Sequence, residues 1–176
     1  MTNYYREFIN FLKKHNIYNE EILNYIKYHS TRFDYRDDEK RPFIGCYYSV
    51  TKKDILQKFT LYIPIINSPI AVLINIHEYL HAIELYSKLG KKYKPQNSIE
   101  VLPMLYEYLY FTENPSKELE SHLTYLNNKI TEDSPIKYQI AINIQSELLE
   151  YYQEKNPSLK TLEKKTKKLT RKYQSK

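Results

Sequence analysis

The stretch Ile74-Asn75-Ile76-His77-Glu78-Tyr79-Leu80-His81-Ala82-Ile83 decides how this chain is interpreted. An apolar run that starts at Ile70 leads into it, which is typical of a helix that is buried nearly all round. Residues four apart lie on one face of a helix, one turn above the other. His77 and His81 can therefore hold one metal ion together. Glu78 follows about 100° further round the helix.

The spacing His-Glu-x-x-His on a helix is the metal motif of zincins. In that arrangement both imidazoles bind zinc, and the glutamate acts as general base on a water. The alternative is an ordinary helix with a polar pair. Two His and one Glu on a buried helix would be costly without partners, and metal ligation would supply them. We therefore expect a Zn²⁺ site with His77 and His81 as ligands and Glu78 as catalytic base.

The composition argues against several other kinds of protein. Two Gly among 176 residues leave no glycine-rich phosphate-binding loop. The single cysteine, Cys46, allows no internal disulfide, which fits a reducing compartment. The first residues do not resemble a signal peptide, and the longest apolar run, around 69–76, is too short to cross a bilayer. We expect a soluble, cytoplasmic protein with no membrane partner.

The net charge of +6 is concentrated at the C-terminal end. Residues 160–176 hold eight Lys or Arg against one acidic residue, Glu163. We interpret this segment as a solvated terminal helix. The alternative is a basic helical module that binds nucleic acid, but no aromatic interleaving or recognised nucleic-acid fold supports it. The predicted organisation is one catalytic domain over residues 1–155 and a basic C-terminal helix or tail over 156–176.

Patterns along the chain predict an α+β fold that is mostly α. Apolar residues at helical spacing predict helices over 3–14, 116–129 and 136–152, and another after a cap at Asn19. Segments 43–50 and 55–63 are rich in β-branched and aromatic residues, and the turn 51–54 joins them as an antiparallel hairpin. We expect a zincin-like helical bundle with a small antiparallel hairpin or sheet packed by the active-site helix.

The boundaries of the active-site helix carry clear signals. Ser68 is a suitable cap, and Pro69 can occupy the first helical position. The helix is expected to run to about Leu89, because Gly90 is a natural stop. A loop at Gly90 would let the next helix fold back against this one.

A catalytic zinc usually takes a third protein ligand, and Glu100 is the candidate. It opens the next predicted helix, 19 residues after His81, a spacing typical of gluzincins. The alternative is a capping-box carboxylate three residues after Asn97. Glu107 lies two turns further along the same face, where it could accept the free N–H of a bound His. A solvated helix glutamate is the alternative for Glu107.

The segment Glu100-Val-Leu-Pro-Met-Leu-Tyr-Glu107 resembles the glutamate-containing helix of the oligoendopeptidase F and thimet oligopeptidase family of zinc peptidases. The segment Pro135-Ile-Lys-Tyr138-Gln139-Ile-Ala141 is similar to that family's downstream Tyr-Gln-x-Ala helix. The resemblance covers residues 70–150. It implies zinc ligands His77, His81 and Glu100, with Glu78 as base. It also implies Tyr138 as oxyanion donor. If Tyr138 does not take this role, we expect Tyr151 or Tyr152 to do so.

Three features depart from that family. Leu80 stands where the family has Gly, and residues 123–137 lack the His that usually precedes the family's tyrosine. The chain is also several times shorter than the family's members, so it would be a minimal catalytic core. We expect a zinc metallopeptidase that cleaves peptides or unfolded segments held along the hairpin edge. The alternative is an inactive zinc-binding pseudopeptidase that acts as a binding module.

Overall fold

The computed structural model describes residues 3–34, 45–94, 99–129 and 136–174. The chain divides into two compact units, Met1–Lys94 and Pro95–Lys176. The described residues are mostly helical, with one three-stranded sheet, so the α+β, mostly α fold class is confirmed. The predicted boundary at residue 155 stays a prediction.

The first unit begins with two capped helices, α1 (Tyr4–Lys14) and α2 (Glu20–Tyr28). The Asn3 side chain accepts a hydrogen bond from the Arg6 N–H at 3.0 Å, and the Asn19 side chain accepts one from the Ile22 N–H at 3.1 Å. Each bond satisfies a donor that the first helical turn leaves without an intrahelical acceptor. Both helices were predicted from sequence, including the cap at Asn19.

The sheet of the first unit contains β1 (Ser30–Phe33), β2 (Gly45–Val50) and β3 (Leu56–Pro64). The strand order is β1-β3-β2, with β2 antiparallel and β1 parallel to the central β3. The β2–β3 hairpin was predicted, although its expected start at 43–44 lies outside the described residues. The parallel strand β1 was not predicted. The predicted antiparallel hairpin is confirmed, and β1 adds a parallel strand to it.

Helix α3 (Pro69–Lys88) packs against β3, β2, α1 and α2. The Ser68 side chain accepts a hydrogen bond from the Ala71 N–H at 3.1 Å, and Pro69 occupies the first turn. After the helix ends, Gly90 has a φ of 71°, a conformation that glycine adopts without a Cβ penalty. The predicted cap, first residue and stop of this helix are all confirmed.

The second unit is helical, with α4 (Val101–Glu113), α5 (Lys117–Lys129), α6 (Ile136–Lys155) and α7 (Leu159–Gln174). Helix α6 packs against α4 and α7, and α7 also contacts α4. Four apolar residues at i, i+4 spacing on α6 form a buried stripe: Ile140, Ile144, Leu148 and Tyr152. This stripe forms the core of the unit, as expected from its i, i+4 spacing.

Helix α7 differs from the solvated helix that its composition suggested. Leu162, Thr166, Leu169 and Thr170 are buried, so one face of the helix belongs to the core of the second unit. The sequence interpretation was wrong on this face because three leucines spread among seven basic residues gave a weak apolar signal. Among the described residues, no helix is both long and apolar enough to cross a membrane.

Candidate metal centre

His77 and His81 bring their ring nitrogens together on one face of α3. Their Nε2 atoms are 3.1 Å apart, and the ring centroids are 4.9 Å apart. Two nitrogens bound at about 2.05 Å in a tetrahedral zinc site would stand about 3.3 Å apart. The observed separation is close to that value, so the pair fits a common metal ion. The same distance also permits one imidazole to donate an N–H to the other.

The three polar side chains of the motif are largely withdrawn from solvent. Glu78 is 6% exposed and His81 is 8% exposed, while His77 is half-buried. Ionisable groups at such positions require partners, since an isolated charge in an apolar interior is strongly unfavourable. This burial distinguishes the motif from a polar pair on a solvated helix face.

Cys46 on β2 is an electrostatic neighbour of Glu78 that the sequence did not reveal. Burial, and to a lesser extent the Glu78 carboxylate, raise the pKa of the Cys46 thiol well above its usual range. The thiol is therefore held neutral beside the carboxylate at physiological pH. Cys46 lies on β2, a strand that packs against α3, the helix that carries Glu78.

A buried tyrosine fixes α3 from the side of the N-terminal helices. Tyr79 accepts a hydrogen bond from the Asn19 N–H at 2.9 Å and donates to the Ile17 carbonyl at 3.1 Å. Its ring meets that of Phe8 edge-on, with 6.0 Å between centroids. Tyr79, which lies between Glu78 and Leu80, thus connects α3 to the loop before α2 by hydrogen bonds. The sequence could have indicated this anchor, because a tyrosine inside a buried apolar helix needs a hydrogen-bond partner for its hydroxyl.

A second anchor lies one turn earlier on α3. The buried Asn75 amide donates to the Pro64 carbonyl at 3.0 Å and to the Ala71 carbonyl at 2.7 Å. The Arg32 guanidinium donates to the Pro64 carbonyl and to the Asn75 Oδ1, both at 3.4 Å. Burial lowers the pKa of Arg32. These contacts join β1, the end of β3 and α3, and they hold the backbone that precedes His77.

In the second unit, two of the predicted site carboxylates are buried. Glu100 precedes the first residue of α4 and is 3% exposed, and Glu107 is 7% exposed. The solvated interpretation of Glu107 is therefore excluded. The Glu100 side chain makes no hydrogen bond that caps α4. Its alternative role in a capping box depends on Asn97, which lies outside the described residues.

The aromatic candidates for the oxyanion donor differ in their surroundings within the second unit. Tyr138 is half-buried near the start of α6. Tyr152 is buried, and its ring meets that of Tyr106 at 6.1 Å and 73°. The Lys165 ammonium lies 5.1 Å from the ring centroid of Tyr151. Tyr151 and Tyr152 thus both have packing roles in this unit.

Comparison with protein-family models, curated proteins and solved structures finds no match to this chain. The resemblance to oligoendopeptidase F and thimet oligopeptidase therefore stays a prediction from the motifs.

Proposed function

We propose that this protein is a zinc-dependent peptidase whose ligands are His77, His81 and Glu100, each offering one ligand atom. The observation that carries the proposal is the 3.1 Å separation of the two histidine Nε2 atoms on a buried helix face. Imidazole and carboxylate are ligands that zinc takes in catalytic sites. The burial of Glu100 supports its inclusion, because metal ligation would offset the cost of a buried carboxylate.

In this proposal the chain's own groups carry the remaining steps. A zinc ion held by His77, His81 and Glu100 would act as a Lewis acid on the peptide carbonyl and would make a water more acidic. Glu78 accepts the proton of the attacking water and passes it to the leaving amine. Tyr138 donates a hydrogen bond to the developing oxyanion. Glu107 accepts the second ring N–H of a ligand histidine and so fixes its tautomer.

An extended peptide is the proposed substrate, because β2 is the last strand in the order β1-β3-β2 and packs against α3, the helix that carries Glu78. An edge strand offers free main-chain donors and acceptors that can pair with a peptide. The Cys46 thiol, held neutral there, adds no charge that would compete with the catalytic groups.

The experiment that tests the proposal compares hydrolysis of a quenched fluorescent peptide library by the wild-type protein and by Glu78→Gln. We expect the substitution to lower kcat/KM by about 10²–10⁴-fold, because it removes the base while preserving the shape of the side chain. Zinc content, measured on the same samples, should be equal in both proteins. Glu21→Gln, at an exposed site on α2, is the matched control and should cleave like the wild type.

Two results would contradict parts of this proposal. Equal and negligible cleavage by wild type and Glu78→Gln, with zinc bound to both, would favour the inactive zinc-binding alternative, which the missing downstream His motivates. Cleavage that is equal in both proteins and resistant to chelators would show that the activity does not come from this site.

A further inference from the structure

Helix α7 carries a row of basic side chains that the peptidase proposal does not use. Lys160, Lys164, Lys167 and Arg171 follow the spacing i, i+4, i+7 and i+11. At about 100° per residue this spacing keeps all four within an arc of about 60°. All four are exposed. We call these four residues the cationic stripe.

The opposite face of the same helix is fixed in the core of the second unit. Leu162 and Leu169 are buried, and α7 packs against α6 and α4. The positions of the stripe lie roughly half a helical turn away from these leucines. The core therefore holds the helix in place while the stripe stays at the surface, so the charges form a fixed row rather than a disordered tail.

A carboxylate on the neighbouring helix α6 forms ion pairs with lysines of α7 that lie outside the stripe. Glu147 on α6 pairs with Lys172 at 3.1 Å and with Lys165 at 3.6 Å. Within the described part of the chain, the four stripe residues make no ion pair with a carboxylate. Helix α7 itself has one acidic residue, Glu163, at the flank of the stripe. Among the described residues, the stripe is thus a line of positive charge that no ion pair with a carboxylate neutralises.

We propose that the cationic stripe binds the phosphate backbone of a nucleic acid. It extends over about 16 Å, with successive charges separated by about 4.5–6 Å along the helix axis. A row of this length matches a linear polyanion, whose charges also follow one another along an axis. Recognition through lysine ammonium groups and one guanidinium on a smooth helix would be independent of base sequence.

An anionic membrane surface fits these observations less well. An amphipathic helix binds a bilayer by inserting its apolar face. Here Leu162 and Leu169 of α7 are buried in the protein, and the exposed large hydrophobic side chains among the described residues do not lie on α7. The stripe could therefore contribute only charge to a bilayer, whereas charge alone is sufficient for contact with a nucleic-acid backbone.

The salt dependence of binding provides a quantitative test. Four phosphate contacts predict a slope of log K against log salt of about −3.6 on duplex DNA. Affinity should then fall about 150-fold between about 50 and about 200 mM salt. We would measure this with the full chain and a fluorescently labelled DNA duplex by anisotropy, using an unrelated second duplex to test independence of sequence.

Two sets of variants locate the binding surface. The stripe variant carries Gln at Lys160, Lys164, Lys167 and Arg171. The control variant carries Gln at four exposed lysines of the first unit and has the same net charge; these are Lys52, Lys53, Lys58 and Lys92. For the stripe variant, we expect the slope of log K against log salt to fall from about −3.6 to near zero. For the control variant, the slope should stay at about −3.6. Arg171→Gln alone should reduce the slope by about 0.9, which tests the proposal in a protein with minimal change.

Circular dichroism of each variant establishes that α7 is retained, since glutamine is also a good helix former. Equal loss of DNA affinity in the stripe and control variants would overturn the proposal, because the effect would then follow net charge. Binding to vesicles that contain phosphatidylserine, without binding to DNA at the lower salt concentration, would also overturn it and would identify a membrane surface. Peptide hydrolysis is expected to be the same in the stripe variant and the wild type, so this test is independent of the peptidase proposal.

Discussion

Tyr79 connects α3 to the loop that precedes α2, and we predict that Tyr79→Phe destabilises the first unit while leaving its packing intact. The side chain is 1% exposed, and its hydroxyl bonds to the Asn19 N–H and the Ile17 carbonyl. Phenylalanine keeps the ring and its edge-on contact with Phe8, so the substitution removes only the hydroxyl. The experiment therefore isolates the hydrogen bonds from the apolar packing.

The expected loss of stability depends on the two backbone groups that no longer have the Tyr79 hydroxyl as a partner. Each hydrogen bond contributes about 1 kcal/mol net, and a buried polar group that loses its partner costs about 1–3 kcal/mol. Ile17 is buried, whereas Asn19 is at the surface and its N–H can turn to water. We therefore expect the free energy of unfolding to fall by about 1–3 kcal/mol, with the carbonyl of Ile17 accounting for most of it.

The assay is urea unfolding followed by circular dichroism, together with hydrogen exchange to assign the change to the first unit. The slope of the free energy of unfolding against urea concentration should be unchanged, since the substitution alters stability and not the surface that unfolding exposes. Tyr18→Phe is the matched control, because Tyr18 is 38% exposed and lies next to the same loop. Its effect should stay within about 0.5 kcal/mol.

Alkaline pH provides an independent readout of the same hydroxyl. Burial raises the pKa of Tyr79 from its usual 10.0 to about 12 in the folded protein. Between these values the unfolded chain releases a proton that the folded chain retains. The free energy of unfolding of the wild type therefore falls by about 1.4 kcal/mol per pH unit from this residue alone. Tyr79→Phe lacks this contribution, so the stability difference between the two proteins should shrink as the pH rises from 10 to 12.

A stability loss below about 0.5 kcal/mol at neutral pH would refute the proposed role of the Tyr79 hydroxyl. A stability difference that stays constant up to pH 12 would refute the assignment of the raised pKa to this residue.

Two further substitutions test the framework around α3. Asn75→Ala removes the amide that donates hydrogen bonds to the Pro64 and Ala71 carbonyls. We expect it to lower the free energy of unfolding, measured by urea unfolding, by about 1–3 kcal/mol. No change in this free energy would show that water replaces the amide. Gly90→Ala should lower the free energy of unfolding by about 1 kcal/mol, measured in the same way, because alanine is strained at a φ of 71°; a stabilised protein would show that the backbone relaxes there.

Local signals explain why much of the fold could be predicted from the sequence. The boundaries of α3 follow from Ser68, Pro69 and Gly90, whose preferences depend on backbone geometry within one turn. The stripe on α6 and the β2–β3 hairpin also depend on short-range periodicity. Strand β1 was missed because four residues, Ser30–Phe33, are too few to show alternation, and their partner β3 lies about 30 residues later.

Only those features of the candidate site that depend on short-range spacing could be predicted from the sequence. The convergence of His77 and His81 follows from helix geometry alone. The proximity of Cys46 to Glu78 depends on how β2 packs over α3, which no short-range pattern encodes. The anchoring of α3 by Arg32 likewise joins residues more than 40 positions apart. The cationic stripe could have been recognised from its i, i+4, i+7, i+11 spacing, but the burial of the opposite face could not.

The central claim is that His77 and His81 bind zinc, and the zinc content of the purified protein tests it most directly. We predict about one zinc ion per chain after exhaustive dialysis, measured by inductively coupled plasma mass spectrometry. The double substitution His77→Ala/His81→Ala should abolish the bound zinc, while His29→Ala, at an exposed histidine, should retain it. Wild-type protein with no more zinc than the double variant, after refolding with zinc present, would contradict the account.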